Sequence, residues 1–518
     1  MKNLFAAIML MVCATPCFGY GNHQALQIIM PRASGTGTPA IPSTHRSFYA
    51  YTGIEYKIRA QVVGGLYPYA FTLSNAPTGM AVDADGYITW ENPDTTASNI
   101  TLRATDQDGD YVESTWSITV QTSGFKFVDA SAEGGGSGTL VDPYDTISAM
   151  LSGASSTDII YFRTGTYVLP SRGDHTIGGA SAFEWNDPSD APARWLAYPG
   201  EQAVINMGGN RYFYGDPSSG PVFYFDGITF LNGREYVFRT GSGQNYPTFL
   251  DCTFDGLTIE RTSYNSNQGG YFTGHTGTGY FLTFQGCTFT GFRDTQGIGS
   301  IYNQNTFLIE DNIFEDFGRD ADSTLNQFLA LKVGIVGLTF RKNSITASGT
   351  DWGFFGGSTN AMMCDGTIDG HGPQSSSLEF CYNLFKTDSP FVAIRFNNYD
   401  DMGATWFYRN TVVNTSVQME ELDYPSECDG PWYFEGNVFQ NADSGVNTSH
   451  YSNGSSPASC LSLSDNLGAT SGLVDSSGLL VNRDYVGTYG WETVEPESPS
   501  TAPRFQGMTF RGMGQGGE

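Results

Sequence analysis

The sequence predicts an all-β chain in which a right-handed parallel β-helix follows an N-terminal β-sandwich. A phrase of the form apolar-x-x-Asn-x-apolar recurs eight times between Tyr224 and Phe439, with Cys or Gly replacing Asn in three copies. Apolar residues two apart around each copy have the period of a strand. The steps between copies vary from 25 to 40 residues while the phrase is kept. A unit that repeats in this way is typical of a solenoid.

The central position of the phrase predicts what fills the interior. In chain order it is occupied by Gly227, Cys252, Cys287, Asn312, Asn343, Asn383, Asn410 and Asn437. Coils stacked about 4.8 Å apart bring like residues into contact. A buried Asn is costly alone, but stacked Asn side chains can hydrogen-bond one another and the turn backbone. We therefore expect one interior column of Asn, continued by the buried thiols of Cys252 and Cys287.

Composition and charge restrict the partners and the location. The 518 residues carry a formal charge of -28, which leaves no basic excess to bind nucleic acid or an anionic membrane surface. Residues 1–19 combine Lys2, an apolar run too short to span a bilayer, and a small Gly19, the pattern of a secretory signal peptide. We expect a secreted, periplasmic or cell-surface protein with no membrane span.

The first domain is predicted over residues 24–121. Segments 56–60, 87–90, 100–104 and 116–120 largely alternate apolar with polar residues, as half-buried antiparallel strands do. Residues 77–83, followed by 86–90, resemble the bacterial Ig-like or cadherin-like module, which implies an Ig-like β-sandwich with a sugar-binding or spacer role. The acidic segment 106–110 fits either a tight hairpin turn or a calcium loop.

The β-helix is predicted over residues 124–491, with a loose tail over 492–518. A strand near 127–129, a short helix within 143–151, a strand over 158–163 and an early coil at 195–201 open it. This order resembles the opening of the pectate-lyase-like superfamily of β-helices, in which a helix plugs the end of the apolar core. A covered end is needed because exposed coils would template aggregation. Residues 478–491 are expected to form a last strand.

Polar residues in the strand between successive phrases predict a binding row. The central position of each phrase is called its ladder position, and five polar residues precede the next ladder position by 10 to 15 residues: Arg239, His275, Tyr302, Lys332 and Arg395. Similar offsets on stacked coils place them in roughly one row on an outer face. Cationic and hydrogen-bonding groups on an otherwise acidic protein suit an acidic polysaccharide.

The chemistry that such a row favours is β-elimination. A uronate loses its C5 proton only when its carboxylate is neutralised and a base is at hand. We predict Lys332 as the base, Arg395 as the neutralising group, and Tyr302 or His275 as the assisting group. The substrate-binding candidates are Arg239, Trp352 and Phe355, the last two through stacking on sugar rings. Trp406 is a further aromatic candidate, although core packing accounts for most aromatic residues at such spacings.

Segments 329–332 and 340–343 resemble the lyase family that holds chondroitinase B and alginate lyases. The resemblance implies a polysaccharide lyase and calcium, for which Asp320 and Asp322 are the candidate ligands. Two alternatives stay open. Gly370-His371-Gly372, which follows Asp369, resembles a phrase of polygalacturonases and would imply glycoside hydrolysis by paired carboxylates. The third possibility is a non-catalytic glycan-binding adhesin or structural surface protein.

Overall fold

A computed structural model gives the fold. It describes residues 24–36, 41–171, 176–177, 180–185, 193–208, 211–215, 223–232, 236–240, 247–255, 270–274, 281–290, 298–299, 305–315, 329–332, 335–347, 362–365, 377–387, 394–398, 404–413, 417–421, 432–440, 446–447, 461–464 and 467–468. The expected signal peptide, last strand and tail lie outside these residues. Among the helices that are described, none is long and apolar enough to cross a membrane.

The N-terminal domain is a β-sandwich. Its strands are β1 Gln27–Met30, β2 Tyr49–Tyr51, β3 Tyr56–Arg59, β4 Gln61–Val63, β5 Ala70–Ser74, β6 Met80–Val82, β7 Tyr87–Trp90, β8 Ala97–Thr105 and β9 Tyr111–Gln121, with a 3-10 turn at Arg46–Phe48. They form sheets of order β2-β9-β8-β5 and β3-β7-β6 and a separate β1-β4 pair. All four predicted strand segments are confirmed. Five strands of three to five residues each were not predicted: β1, β2, β4, β5 and β6.

The rest of the described chain winds into successive coils of β-strands. Its elements are β10 Phe125–Val128, α1 Ile147–Gly153, β11 Ile159–Phe162, β12 Gly165–Val168, β13 Thr176–Ile177, β14 Ala180–Trp185, β15 Arg194–Ala197, β16 Ala203–Asn206, β17 Arg211–Gly215, β18 Tyr224–Asp226, β19 Ile228–Leu231, β20 Tyr236–Thr240, β21 Thr248–Leu250, β22 Thr253–Asp255, β23 Gly270–Gly274, β24 Phe281–Gln285, β25 Thr288–Phe289, β26 Ile298–Gly299, β27 Asn305–Glu310, β28 Ile313–Glu315, β29 Leu329–Lys332, β30 Ile335–Arg341, β31 Ser344–Ala347, β32 Met362–Asp365, β33 Ser377–Cys381, β34 Leu384–Thr387, β35 Ile394–Asn398, β36 Thr405–Tyr408, β37 Thr411–Val413, β38 Val417–Glu421, β39 Trp432–Glu435, β40 Val438–Gln440, β41 Val446–Asn447, β42 Leu461–Ser464 and β43 Leu467–Gly468.

These strands form three long sheets, so each full coil contributes one strand to each sheet. The first sheet runs β10-β11-β15-β18-β21-β24-β27-β30-β33-β36-β39-β42. The second runs β12-β16-β19-β22-β25-β28-β31-β34-β37-β40-β43, and the third runs β13-β14-β17-β20-β23-β26-β29-β32-β35-β38-β41. Apart from the antiparallel β13–β14 pair, neighbours in the three sheets are parallel. The predicted parallel β-helix is confirmed.

Stacked like residues fill the interior, as the repeated phrase predicts. Phe249 and Phe284 stack with ring centroids 4.7 Å apart, and Phe289 and Phe314 stack at 4.5 Å. The helix α1 packs Ile147 into the same core at its open end, with Thr146 as N-cap, so the predicted plug is confirmed. Each coil therefore buries its apolar face against its neighbours.

The predicted Asn column is confirmed in detail. Asn312, Asn343, Asn383, Asn410 and Asn437 are fully buried. The Nδ2 of Asn343 donates to Asn383 Oδ1 at 3.1 Å and to the carbonyl of Ile309 at 2.8 Å. Its Oδ1 accepts from the backbone N–H and the Nδ2 of Asn312. Each amide thus satisfies its neighbour and a turn carbonyl, and the column continues upstream through buried Cys287 and Cys252.

The first copy of the phrase was placed one residue too early. Strand pairing sets Phe225, not Tyr224, beside Phe249, and it sets Thr229 beside Thr253. Ile228 therefore holds the position that Cys252 holds in the next coil. Gly227 has a φ of 68° and matches the turn residue before the ladder position, where the backbone is left-handed. Glycine tolerates that conformation because it has no Cβ to clash. Gly227 is therefore a turn residue, and the sequence alone did not distinguish it from a small residue at the ladder position.

The N-terminal domain packs along the outer face of the first sheet. Near the start of the β-helix, Ile54 packs against residues of β10, β11 and β15. Further along, Phe281 and Leu308 of the β-helix join the apolar core of the sandwich. Near the far end, Leu66 packs with Trp406. The sandwich therefore covers the first sheet from β10 to β36.

Candidate functional site

Three of the predicted site residues lie in the third sheet: Arg239 in β20, Lys332 in β29 and Arg395 in β35. Strand pairing relates their positions. Arg239 pairs with Thr273, and the same column leads through β26 and β29 to the position of Arg395. Lys332 pairs with Asp365, which pairs with Asn397, so Lys332 stands two positions beyond that column. The expected single row is thus two neighbouring columns.

Register with buried Phe residues identifies the face on which these positions lie. Phe183 and Phe213 are buried in the core and pair with each other. Phe213 pairs with Phe238, so Phe238 continues the inward column and the next position, Arg239, falls on the outer face. The same alternation assigns Lys332 and Arg395 to outer positions. The backbone therefore brings three predicted cationic positions to one outer face of the third sheet.

The register reveals a column that the sequence analysis missed. Lys332, Asp365, Asn397 and Glu420 occupy one position on four consecutive coils. A second phrase carries it, with two apolar residues two apart followed by a polar one: Leu329-x-Leu331-Lys332, Met362-x-Cys364-Asp365, Ile394-x-Phe396-Asn397 and Val417-x-Met419-Glu420. The Asn phrase dominates the alignment because it is longer, and that hid this shorter repeat. Asp365, Asn397 and Glu420 carry oxygen donors of the kind that calcium takes.

The other predicted site residues lie outside the described part of the chain. They are His275, Tyr302, Trp352, Phe355, Asp320 and Asp322, together with Asp369 and the Gly370-His371-Gly372 phrase. Their roles stay predictions. Among the residues that are described, no cluster of three or more His, Cys, Asp or Glu side chains could hold a metal ion.

Two further candidates are explained by packing. Trp406 is 5% exposed, because it lies beneath the N-terminal domain and stacks on Tyr433 at 5.7 Å, so it cannot also stack on a sugar ring. The 106–110 segment is the hairpin turn between β8 and β9. The carboxylate of Asp106 there accepts the backbone N–H groups of Leu66, Asp108 and Asp110. These three bonds account for the conformation of the turn.

The outer positions of the first sheet do not form a groove for ligand. From β21 to β36 they are occupied by Thr248, Leu250, Thr283, Gln285, Leu308, Glu310, Thr339, Arg341, Glu379, Cys381, Trp406 and Tyr408, all of them buried. Arg341 donates to Glu310 Oε1, to Tyr69 Oη and to the carbonyl of Val62, each at 2.9 Å. The polar side chains that alternate along these strands therefore serve contact between domains.

Several strong electrostatic perturbations among the described residues also lie at this contact. Burial alone would raise the pKa of Glu310, but Arg341 and Arg59 outweigh it and lower the pKa to about 2. Burial raises the pKa of Asp226 to about 6 against the opposing effect of Lys57. Burial and the nearby Arg194 lower the pKa of His45 to about 3. Perturbed groups often mark active sites, but these three are buried where the two domains meet, and Asp226 pairs there with Lys57 at 3.3 Å.

Buried thiols give no nucleophile in the described part of the chain. Burial raises the pKa of Cys252 and of Cys381 well above the ordinary value. Cys252 donates to the carbonyl of Leu250, inside the core. A protonated thiol without solvent access does not attack a substrate. The predicted role of Cys252 and Cys287 as structural thiols is consistent with this geometry.

Comparison with known proteins identifies the first domain. Residues 36–121 match the family model "Putative Ig domain". The N-terminal domain is an Ig-like domain. The expected resemblance is therefore confirmed, and strands β2 to β9 of the Ig-like domain fall within the matched residues. The comparison with curated proteins gives no match.

Two solved structures resemble the chain over most of its length. A rhamnogalacturonan lyase aligns with a TM-score of 0.45 and 14% identity, covering 74% of this chain and 99% of its own. The pectate lyase Pel9A aligns with a TM-score of 0.36 and 14% identity, covering 71% of this chain and 85% of its own. Similarity at this level carries no information about activity.

Proposed function

We propose that this protein is a secreted polysaccharide lyase that cleaves an acidic polysaccharide by β-elimination on the outer face of the third sheet. The observation that carries the proposal is the register of that sheet, which brings the positions of Arg239, Lys332 and Arg395 to one face. The first sheet is unsuited to substrate because the Ig-like domain covers its outer positions. Strands stacked about 4.8 Å apart make the third sheet a straight, rigid support for an extended chain.

The proposed reaction follows from the residues in these positions. Arg395 pairs with the uronate carboxylate and so makes the C5 proton more acidic. Lys332, in its unprotonated form, takes that proton, and the electrons of the C5–H bond form the C4–C5 double bond. The C4–O4 bond then breaks, and Tyr302 or His275 gives a proton to the departing oxygen. No oxidant or added water is needed, and the product carries a new unsaturated uronate end.

Binding and calcium are part of the same proposal. Arg239 lies in the Arg395 column three coils before β29 and would hold a further acidic sugar, while Trp352 and Phe355 would stack on sugar rings. Asp320 and Asp322 are the proposed calcium ligands. A calcium ion would lower the negative charge of bound uronates on a chain of formal charge -28. Secretion rests on the signal-peptide pattern of residues 1–19.

The decisive experiment incubates the full chain with alginate, pectate, chondroitin and a neutral glycan while the ultraviolet absorbance of unsaturated uronates is followed. We expect absorbance to rise with at least one acidic polymer and not with the neutral glycan. Chelation by EDTA should lower the rate, and added calcium should restore it.

The other outcomes separate the alternatives. New reducing ends without absorbance would replace the lyase by a glycoside hydrolase. Binding without either product would make the protein an adhesin. No binding to any acidic polymer would remove the proposal altogether.

A further inference from the structure

The turn between the first and second sheets has an unusual composition. The residue before the ladder position has a φ between 51° and 68° in eight successive coils: Gly227, Asp251, Gly286, Asp311, Lys342, Tyr382, Arg409 and Gly436. Glycine suits that left-handed conformation, and Asp tolerates it. Lys, Tyr and Arg are uncommon there, because their Cβ crowds the backbone. Strained residues that a fold retains at one position in successive coils call for a compensating contact.

The compensating contact is with the Ig-like domain. Asp251 binds Lys57 Nζ at 2.8 Å, and Asp311 binds Arg59 Nη2 at 2.9 Å. Lys342 Nζ lies 2.9 Å from Asp85 Oδ1. We give the name docking ridge to six of these left-handed turn residues: Asp251, Gly286, Asp311, Lys342, Tyr382 and Arg409.

The far end of the docking ridge makes the same kind of contact. Tyr382 meets the ring of Tyr67 edge-on at 5.1 Å. Arg409 Nη1 donates to Gln107 Oε1 at 2.5 Å. Every non-glycine residue of the docking ridge therefore touches the Ig-like domain.

The glycine within the docking ridge shows how close the domains come. A Cβ on Gly286 would lie 2.9 Å from the hydroxyl of Tyr87 and 2.3 Å from Asp251 Oδ1. That hydroxyl already donates to Asp251 Oδ1. The one turn in this stretch without a side chain is thus a turn at which a Cβ would collide with Tyr87 and Asp251.

A cluster of buried charged side chains lies beside the docking ridge. Arg59 and Arg341 have side chains that are 1% exposed, and Glu310 lies between them. Gln285 Nε2 donates to the carbonyl of Ala60 at 3.0 Å. Buried charges of this kind are stable only while their partners stay in place. Separation of the domains would also expose the apolar contacts of Phe281 and Leu308 to water.

We infer that the Ig-like domain is a permanent brace for the β-helix and not an independently moving sugar-binding module. It fixes successive coils through the docking ridge and opens only when those coils unfold. The sequence allowed a sugar-binding or a spacer role for this domain, and the brace is neither. The inference stands apart from the proposed lyase activity, since it concerns folding and stability alone.

Hydrogen exchange of the full chain tests the brace. Arg341→Met removes three donated hydrogen bonds and leaves Glu310 without its nearest cation. We expect exchange to rise by about a hundredfold in β3 and β7 of the Ig-like domain and, by the same factor, in β27 and β33 of the β-helix. The matched control is Arg103→Met, because Arg103 pairs with Glu113 on the solvent side of the sandwich. It should leave exchange in the β-helix unchanged.

A second variant keeps the test decisive if Arg341→Met does not fold. Lys342→Met keeps an unbranched side chain of similar length in the left-handed turn and removes the ammonium group. We expect exchange to rise about threefold in both domains. A rise confined to one domain, or two separate thermal transitions in the unmodified chain, would overturn the inference. A rise shared by both domains would support it whether or not the protein cleaves polysaccharide.

Discussion

The first and third sheets are built from the same coils but differ in what their outer positions do. In the first sheet, outer Thr, Gln, Glu and Arg side chains are buried beneath the Ig-like domain. In the third sheet, register brings Lys332, Asp365, Asn397 and Glu420 into one column on four coils. Polar residues at alternate strand positions therefore do not by themselves mark a binding surface. What lies against the sheet decides between docking and ligand binding.

Among the variants that test the difference between the two sheets, Lys332→Ala is expected to have the largest effect, and that effect is on the reaction rate. If the third sheet carries the chemistry, Lys332→Ala should lower the rate of unsaturated uronate formation by about a thousandfold, as loss of a general base does. The melting temperature should stay close to that of the unmodified protein. Lys386→Ala, in β34 of the second sheet, is the matched control and should retain activity. Full activity in Lys332→Ala would exclude this lysine as the base.

The next largest effect is a loss of stability, expected from a substitution in the interior that both sheets enclose. Asn343→Ala removes the acceptor of two Asn312 donors and the donor to the Ile309 carbonyl. Because each unsatisfied buried group costs about 1–3 kcal/mol, we expect the free energy of unfolding to fall by about 3 kcal/mol or more. Urea denaturation measures this change. Thr346→Ala, at a half-buried position in the same coil, should change it little, and equal effects from the two variants would contradict a structural Asn column.

The third effect is a pH dependence of the free energy of unfolding, which arises from Glu310 in the first sheet. The pKa of Glu310 falls from 4.5 to about 2 on folding. A lowered carboxyl pKa stabilises the folded protein above pH 4.5, and that contribution is lost as the pH falls towards 2. At about 1.4 kcal/mol per pH unit, the loss is about 3 kcal/mol.

Replacement of Glu310 isolates this contribution. In Glu310→Gln, the free energy of unfolding should start lower at neutral pH and should fall less between pH 4.5 and pH 2. Urea denaturation at several pH values gives the comparison. Glu113→Gln removes an exposed carboxylate from the same kind of Arg pair and should follow the unmodified curve. Identical acid dependence in Glu310→Gln and the unmodified chain would show that the Arg341 pair does not control acid stability.

Much of the fold could be predicted because its signals are local. The period of two, the Asn phrase and the left-handed turns each occupy a few residues, and stacking repeats them at every coil. The error at Gly227 has the same origin. A glycine fits both a cramped interior and a left-handed turn, and only strand pairing distinguishes the two positions.

The candidate site was less predictable because it depends on register across coils of unequal length. Offsets counted from the Asn phrase placed Arg239, Lys332 and Arg395 in one row, whereas pairing puts Lys332 one column further. The companions Asp365 and Glu420 became visible only through that pairing. Variable loops between strands change the count of residues without changing the hydrogen-bonded register.

The sequence by itself determined the coil, its Asn interior and its helical plug, since each follows from contacts within a coil or between adjacent coils. It also determined the presence of an Ig-like domain, because alternating strand segments and the motif of residues 77–90 are local signals. Only the tertiary structure decided where the Ig-like domain rests. That choice depends on pairs such as Arg59 with Asp311 and Arg341 with Val62, which are hundreds of residues apart and follow no period. Packing between domains is specified by surface complementarity, which no repeat in one strand reveals.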